Sequence, residues 1–106
     1  ADGQPQIQLQ VHVDMIDSGL DIQQALEVPR FLSGRIGLTE PRDPLHVEDR
    51  VPEATIAALA ARGHKMDVWP AWNNRAGHAS GIVLDHGTGM RSGGADPRSD
   101  GAAIGY

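Results

Sequence analysis

The sequence predicts an α+β fold with mostly antiparallel strands. Two helical patterns open the chain, and a third helical pattern lies near its middle. Short alternating stretches lie around that third pattern and near the end, separated by glycines and prolines. The resulting order is helix, helix, two or three short strands, helix, strand and hairpin. A length of 106 residues fits one domain, which we place at residues 1–106.

The first element, residues 5–20, can be interpreted as a strand or as a helix. Its first apolar residues alternate with polar ones, as in a half-buried strand. Met15 and Ile16 break this alternation but extend two helical stripes. Pro5 suits a first helical position and Gly19 a C-terminal cap. We therefore predict a helix over residues 6–18 that is covered on two sides. The two stripes are Ile7, Val11 and Met15, and Leu9, Val13, Ile16 and Leu20.

A second helix is predicted to begin after Asp21, which has Gln24 three residues later to complete a capping box. Pro29 ends this helix, because the residue before a proline favours extended geometry, and Phe31 begins a short extended segment. Residues 33–49 are interrupted by glycines and prolines. Within them we predict a hairpin of Arg35–Ile36 with residues 45–48, joined by TEPRDP.

The third helix is predicted over residues 52–62, with Pro52 at its first position and Gly63 as its cap. Its apolar stripe consists of Ile56, Leu59 and Ala60. Residues 64–69 alternate as a strand, with Met66 and Val68 on one face. Residues 79–85 and 90–92 form a hairpin joined by the glycine turn HGTG.

Composition and charge exclude several classes of function. The net charge of −5 and the lack of a basic run argue against a nucleic-acid partner. No apolar run approaches 18 residues, so we expect no membrane span. The chain has no cysteine, which excludes disulfides and thiolate metal sites and leaves the compartment open. The abrupt start, ADGQPQ, suggests a cut end. We expect a solvated face from Glu40, Arg42, Asp43, Glu48, Asp49 and Arg50.

The candidate chemical groups do not assemble into a catalytic or metal-binding motif. The five histidines show no i, i+4 pair and no HExxH pattern, so we expect scattered surface or hairpin histidines. Asp85, Asp96 and Asp100 could gather around a cation, but ADPRSDG favours capped turns instead. No serine or threonine lies in a GxSxG elbow. Trp69 and Trp72 are expected to be packing anchors. The residues alone therefore predict no metal, no cofactor and no self-contained active site.

Three segments, in order, resemble the C-terminal part of gamma-glutamyltranspeptidases. They are GQPQIQLQVHVDMIDSGLDIQQALEVPRF, EDRVPEATIAALAARGHKMDV and GHASGIVLDHGTGMRSGGADPRSDGAAIGY. The similarity spans essentially the whole chain and is weakest over residues 33–49. His78 stands where the family usually has the second of two glycines. The resemblance implies a fragment of the four-layer αββα sandwich of the N-terminal nucleophile hydrolases, which agrees with a first helix apolar on two sides.

In that family a precursor cuts itself, and the new N-terminal threonine of the small subunit is the nucleophile. Two adjacent backbone N–H groups form the oxyanion hole. Here residue 1 is Ala, and no threonine has a family-like nucleophile context. The resemblance therefore assigns no catalytic residue to this chain. It places only Ala1, Asp2 and Gly3 near the substrate, at the edge of the oxyanion region.

Two functional hypotheses follow from the resemblance. In the first, the chain is the C-terminal region of a gamma-glutamyltransferase-like enzyme, inactive alone, whose partners are the rest of the small subunit and the large subunit. In the second, it is a non-enzymatic module of the same ancestry that binds a partner through an open sheet edge. In either case we expect the isolated chain to form a homo-oligomer, since exposed apolar surface and open strand edges favour pairing.

Overall fold

The computed structural model describes residues 3–106, so the predictions for Ala1 and Asp2 lie outside the described residues. The helices are α1 (Gln4–Ile16), α2 (Ile22–Glu27) and α3 (Glu53–Ala61). The strands are β1 (Phe31–Ser33), β2 (Pro44–Glu48), β3 (Lys65–Trp69), β4 (Ser80–Leu84) and β5 (Arg91–Ala95), and a short 3₁₀ turn spans Asn74–Ala76. This order confirms the α+β prediction.

Two separate sheets organise the chain. The first has the order β1-β2-β3, with β1 antiparallel to β2. Strands β2 and β3 are parallel, because α3 carries the chain back across the sheet between them. The second sheet is the predicted hairpin, in which β4 pairs antiparallel with β5. Two of the three pairings are therefore antiparallel, as predicted, and the parallel pair is the exception.

The first segment is a helix, and the extended alternative is wrong. Pro5 lies in the first turn, where its missing N–H costs nothing. Gly19 has a φ of +69°, a left-handed conformation that suits glycine, and the Leu20 N–H donates to the Asp14 carbonyl at 3.1 Å. After this turn, Asp21 and Gln24 form the predicted capping box at the start of α2.

Only one of the two apolar stripes of α1 is buried by the described chain. Ile7 packs with Leu32, Trp69 and Ala76, and Val11 packs with a second group on α2. The other stripe is largely exposed, with exposed fractions of 64% for Leu9, 42% for Val13 and 77% for Ile16. The prediction that α1 is covered on two sides is therefore met on one side only. The second group on α2 is Ile22, Ala25 and Leu26.

Polar side chains of α1 close the free edge of β1. The Gln6 amide donates to the Ser33 carbonyl at 3.0 Å and accepts from the Ser33 N–H at 2.8 Å. One turn later, the Gln10 amide makes the same pair of bonds to Phe31, at 2.8 and 3.1 Å. Two glutamines thus take the place of a neighbouring strand.

The structure corrects the predictions for residues 33–49 and for α3. The partner of β2 is β1, so the predicted strand Arg35–Ile36 is wrong, and those residues lie in the connecting loop. Helix α3 begins at Glu53, directly after Pro52 rather than with it. None of its residues is buried, so the stripe of Ile56, Leu59 and Ala60 is not a core face within residues 3–106.

Candidate functional site

Gly3, the described member of the predicted oxyanion edge, caps the start of α1 and is buried. A Cβ at this position would lie 3.2 Å from a Leu32 methyl group, so the backbone runs close against β1. The Gly3 carbonyl accepts from the Ile7 N–H at 3.0 Å. Within residues 3–106, no side chain caps α1, and the first turn of the helix has no acidic residue.

A cleft of about 660 Å³ opens beside Gly3, between α1, β4 and the loop before β4. Its floor is apolar and includes Ile7, Val11 and Val83. Its polar lining residues are Gln4, Gln8, His12, Arg75, His78 and Ser80. None of its described lining residues is an aspartate or a glutamate, although the chain has a net charge of −5. The fold therefore brings Gly3 and the exposed His78 to one cleft, although 75 positions of sequence separate them.

A cluster of four buried charged side chains lies behind the loop before β4, residues 76–79, which we call the cleft loop. We call these four residues the ion-pair cluster. The exposed fractions are 2% for Arg30, 0% for Glu48, 1% for Asp96 and 5% for Arg98. Arg30 Nη1 donates to Asp96 Oδ2 at 2.6 Å, and Arg98 Nη1 donates to Asp96 Oδ1 at 3.1 Å. Arg98 Nε donates to Glu48 Oε1 at 2.8 Å. Two positive and two negative groups balance each other in the interior.

The ion-pair cluster also fixes backbone from four parts of the chain. Arg98 donates to the Leu26 and Val28 carbonyls, both at 2.9 Å, at the end of α2. Asp96 Oδ2 accepts from the Ala79 N–H at 2.9 Å, and Glu48 accepts from the Arg30 N–H at 2.9 Å. The cluster therefore joins α2, β2, the cleft loop and the segment after β5.

The surroundings of Asp96 and Glu48 favour their ionised forms. Burial alone would raise the pKa of Asp96, but N–H donors from Ala79 and Arg98 and the Arg30 guanidinium hold that pKa below its usual range. Burial likewise opposes ionisation of Glu48, whereas hydrogen bonds from Arg98 and Arg30 lower the pKa of its carboxyl. Both carboxylates are therefore structural anions.

The cluster corrects one sequence prediction and adds to another. Glu48 was expected on a solvated face but is fully buried. Asp96 does cap the predicted turn, since its Oδ1 accepts from the Arg98 N–H at 3.0 Å, but both of its oxygens also accept from guanidinium groups of the cluster. Asp85 lies apart from it and caps the hairpin turn through the N–H groups of Gly87 and Thr88. No sequence spacing indicated the cluster, because its members lie up to 68 positions apart. The only hint was the ADPR segment of the resemblance.

His46, one of the histidines expected at the surface or in a hairpin, lies on β2 and is buried. It is 4% exposed and stacks on Trp69, with ring centroids 4.7 Å apart. Its Nδ1 lies 2.7 Å from Asp67 Oδ2 and its Nε2 lies 2.9 Å from the Gly34 carbonyl. Trp69 is buried, as a packing anchor should be, whereas Trp72 is 39% exposed under the Arg50 guanidinium.

Residues 3–106 hold no group of three or more His, Cys, Asp or Glu side chains that could bind one metal ion. Over that range, no helix has both the length and the apolar character needed to cross a bilayer. The threonines lie in a loop (Thr39), in the first turn of α3 (Thr55) and in the hairpin turn (Thr88).

The model of the gamma-glutamyltranspeptidase family matches residues 1–106. The chain belongs to this family. Two relatives are similar along nearly all of it. The oxamate amidohydrolase proenzyme of Klebsiella pneumoniae is 39% identical over 99% of this chain, and a glutathione hydrolase-like proenzyme of Bacillus subtilis is 40% identical over 98%. Those matches cover 20% and 19% of the relatives, so the chain spans about a fifth of their length.

Solved structures of the family show the same fold. The cephalosporin acylase from Bacillus halodurans superposes with a TM-score of 0.77 at 33% identity, over 96% of this chain and 18% of the acylase chain. Family membership and the α+β fold of these hydrolases, both implied by the sequence resemblance, are therefore confirmed.

Proposed function

We propose that these residues are the C-terminal segment of the small subunit of a gamma-glutamyltransferase-like enzyme. The parent enzyme would transfer or hydrolyse gamma-glutamyl groups such as that of glutathione. The observation that carries the proposal is the family match over all 106 residues, in a chain that spans about a fifth of its curated relatives. The segment would act as one domain of the small subunit and contribute no catalytic side chain.

In this proposal the start of α1 forms one edge of the oxyanion region, at Ala1, Asp2 and Gly3. Supporting it, Gly3 is buried at the N-cap of a helix that, within residues 3–106, has no side-chain cap and no acidic residue in its first turn. Such a helix end favours negative charge, as develops on the carbonyl oxygen when a threonine attacks an amide. The threonine nucleophile would come from another part of the parent enzyme.

The exposed stripe of α1 and the outer face of the hairpin would pack against the rest of the parent. Leu9 and Ile16 on α1, and Ile82 and Leu84 on β4, are more than half exposed in this chain. A domain that leaves so much apolar surface open needs a partner surface. We assign that surface to the remainder of the small subunit and to the large subunit.

Expression of the longer precursor tests this function. We expect the precursor to cut itself into two subunits and the mature product to cleave a gamma-glutamyl anilide. Oxamate and an acyl-cephalosporin should be assayed beside it, because relatives carry those substrates in their names. A precursor with its nucleophilic threonine changed to alanine is the matched control. A precursor that folds but neither cuts itself nor cleaves any of the three would contradict the proposal.

The 106-residue chain by itself should show no hydrolysis of the anilide above buffer, because it holds no N-terminal threonine. Turnover that persists through repurification and in an Ala1→Gly variant would contradict this. The gene sequence upstream of Ala1 offers a direct check. A long reading frame with Thr-x-His, and Gly-Gly just before Ala1, is expected.

The second candidate is a free-standing module that binds a partner or a second copy of itself. The exposed apolar stripe of α1 and the open edges of the β4–β5 hairpin favour it. A start codon close upstream of Ala1 would support this alternative. For the isolated chain we expect a dimer or larger species. Sedimentation equilibrium at micromolar concentration checks this, and a single species near 11.3 kDa would contradict it.

A further inference from the structure

The close contact between the cleft loop, residues 76–79, and α1 depends on a glycine. Gly77 has a φ of +94°, and a Cβ added to it would lie 2.3 Å from Ile7 Cδ1. Carbon atoms that are not bonded to each other do not approach so closely. Any other residue at position 77 would force either the loop or Ile7 to move.

The loop is held in place from behind. Arg30 Nη1 donates to the Ala76 carbonyl at 3.1 Å and to the Gly77 carbonyl at 3.4 Å. Asp96 Oδ2 accepts from the Ala79 N–H at 2.9 Å. Both side chains belong to the buried ion-pair cluster, so the loop cannot retreat without breaking bonds to buried charges.

Ile7 is confined on the other side. It is 9% exposed and packs against Leu32, Trp69 and Ala76. Its Cδ1 methyl group also lies 3.5 Å from the point where a Cβ on Gly3 would be, and its N–H donates to the Gly3 carbonyl. A single methyl group of Ile7 therefore lies between Gly77 and Gly3. A displacement of this methyl group would shift the first turn of α1.

We propose that Gly77 is a positioning residue that sets the distance between the cleft loop and the first turn of α1. Through Ile7 it sets the placement of Gly3, and so of the oxyanion region beside it. This inference rests on the proposed function, which places Gly3 at the edge of the oxyanion region. Only there would a displacement of Gly3 affect catalysis. A side chain at position 77 would then weaken stabilisation of the transition state more than binding of the substrate.

The test uses the full-length precursor with Gly77→Ala. We expect kcat of the mature enzyme on a gamma-glutamyl anilide to fall by about 10- to 100-fold, with KM changed less than about threefold. A small misplacement of groups that stabilise the transition state has this effect on the rate. Gly63→Ala is the matched control, since Gly63 has a φ of +97° and nothing within 4 Å of its added Cβ. It should keep the wild-type kcat.

A second substitution separates positioning from general damage. Ile7→Val removes the Cδ1 atom that the new Cβ would meet, so Gly77→Ala/Ile7→Val should regain most of the lost kcat. If the Gly77→Ala precursor fails to mature, the double variant decides between the two explanations. Recovery of maturation and kcat in the double variant supports the inference, and no recovery overturns it. An unchanged kcat in Gly77→Ala, a raised KM alone, or an equal loss in Gly63→Ala would also overturn it. An inactive wild-type precursor would instead overturn the proposed function, and this inference with it.

Discussion

The three-stranded sheet and the β4–β5 hairpin use similar apolar residues but differ in how far the chain covers them. Leu32 and Val47 in the sheet are fully buried, whereas Ile82 and Leu84 in the hairpin are 72% and 53% exposed. Gln6 and Gln10 bond to the backbone of β1 and close that edge of the sheet. The hairpin touches α2 through Gly81 and Gly94, whose backbones lie close to Ile22 and Leu26, and its outer face is open.

This difference teaches that the chain buries the centre of one sheet and leaves much of the other exposed. The sheet with the buried centre is the one joined by the ion-pair cluster to α2 and to the cleft loop. The open hairpin and the open stripe of α1 are the surfaces for which we propose a partner. Substitutions in the two regions should therefore have very different effects on the isolated chain.

The largest loss of stability is expected from Asp96→Asn, which removes one negative charge from the ion-pair cluster. Arg30 and Arg98 would remain buried with Glu48 as the only carboxylate of the cluster. Breaking a buried ion pair in this way typically costs about 3–5 kcal/mol in the free energy of unfolding. Urea denaturation followed by circular dichroism measures it. Asp85→Asn, in the exposed hairpin turn, is the control and should cost about 1 kcal/mol or less.

Leu32→Ala and Ile82→Ala compare the two sheets directly. Leu32→Ala should destabilise by about 2–5 kcal/mol, because it leaves a cavity between β1 and α1. Ile82→Ala should change stability by about 0.5 kcal/mol or less, because Ile82 is mostly exposed. Both are measured at submicromolar concentration, where association is weakest. Equal losses would mean that the hairpin face is buried in the isolated chain.

Acid should destabilise the chain by protonating the two carboxylates of the ion-pair cluster. The pKa values of Asp96 and Glu48 are lower in the folded chain than their ordinary values of 3.8 and 4.5. The stability that they contribute is therefore present above about pH 4.5 and is lost as pH falls through their folded pKa values. Unfolding free energies measured from pH 6 to pH 2 check this. Asp96→Asn should flatten the acid limb, and an unchanged limb would contradict the assignment.

A smaller loss of stability than at Asp96 or Leu32 is expected at the edge of β1. Gln6→Ala and Gln10→Ala should each cost roughly 1 kcal/mol, because the freed backbone groups of Ser33 and Phe31 can bond to water. Gln8→Ala, on the same helix, is the control. The double variant opens the edge of the sheet and should increase self-association in sedimentation experiments. Unchanged association would show that this edge does not need its glutamines.

The sequence by itself determined the elements whose causes are local. The capping box of Asp21 and Gln24, the proline stop at Pro29 and the hairpin around HGTG were all predicted, because each depends on residues a few positions apart. The order of these elements indicated the α+β class, and the resemblance added the family. The Ala1 and Asp2 assignments stay predictions, and Gly3 now has a described position at the start of α1.

Only the tertiary structure decided which polar residues are buried and how the strands of the three-stranded sheet pair. Arg30 and Asp96 lie 66 positions apart, and Glu48 and Arg98 lie 50 apart, so no local pattern distinguishes them from solvated charges. The same holds for His46, which is buried because Asp67 and Gly34 meet it across the sheet. Burial of a charge is stable only when an opposite charge arrives from elsewhere in the chain. Which opposite charges meet depends on the folded structure, whereas a helix cap or a turn depends on residues that are neighbours in the sequence.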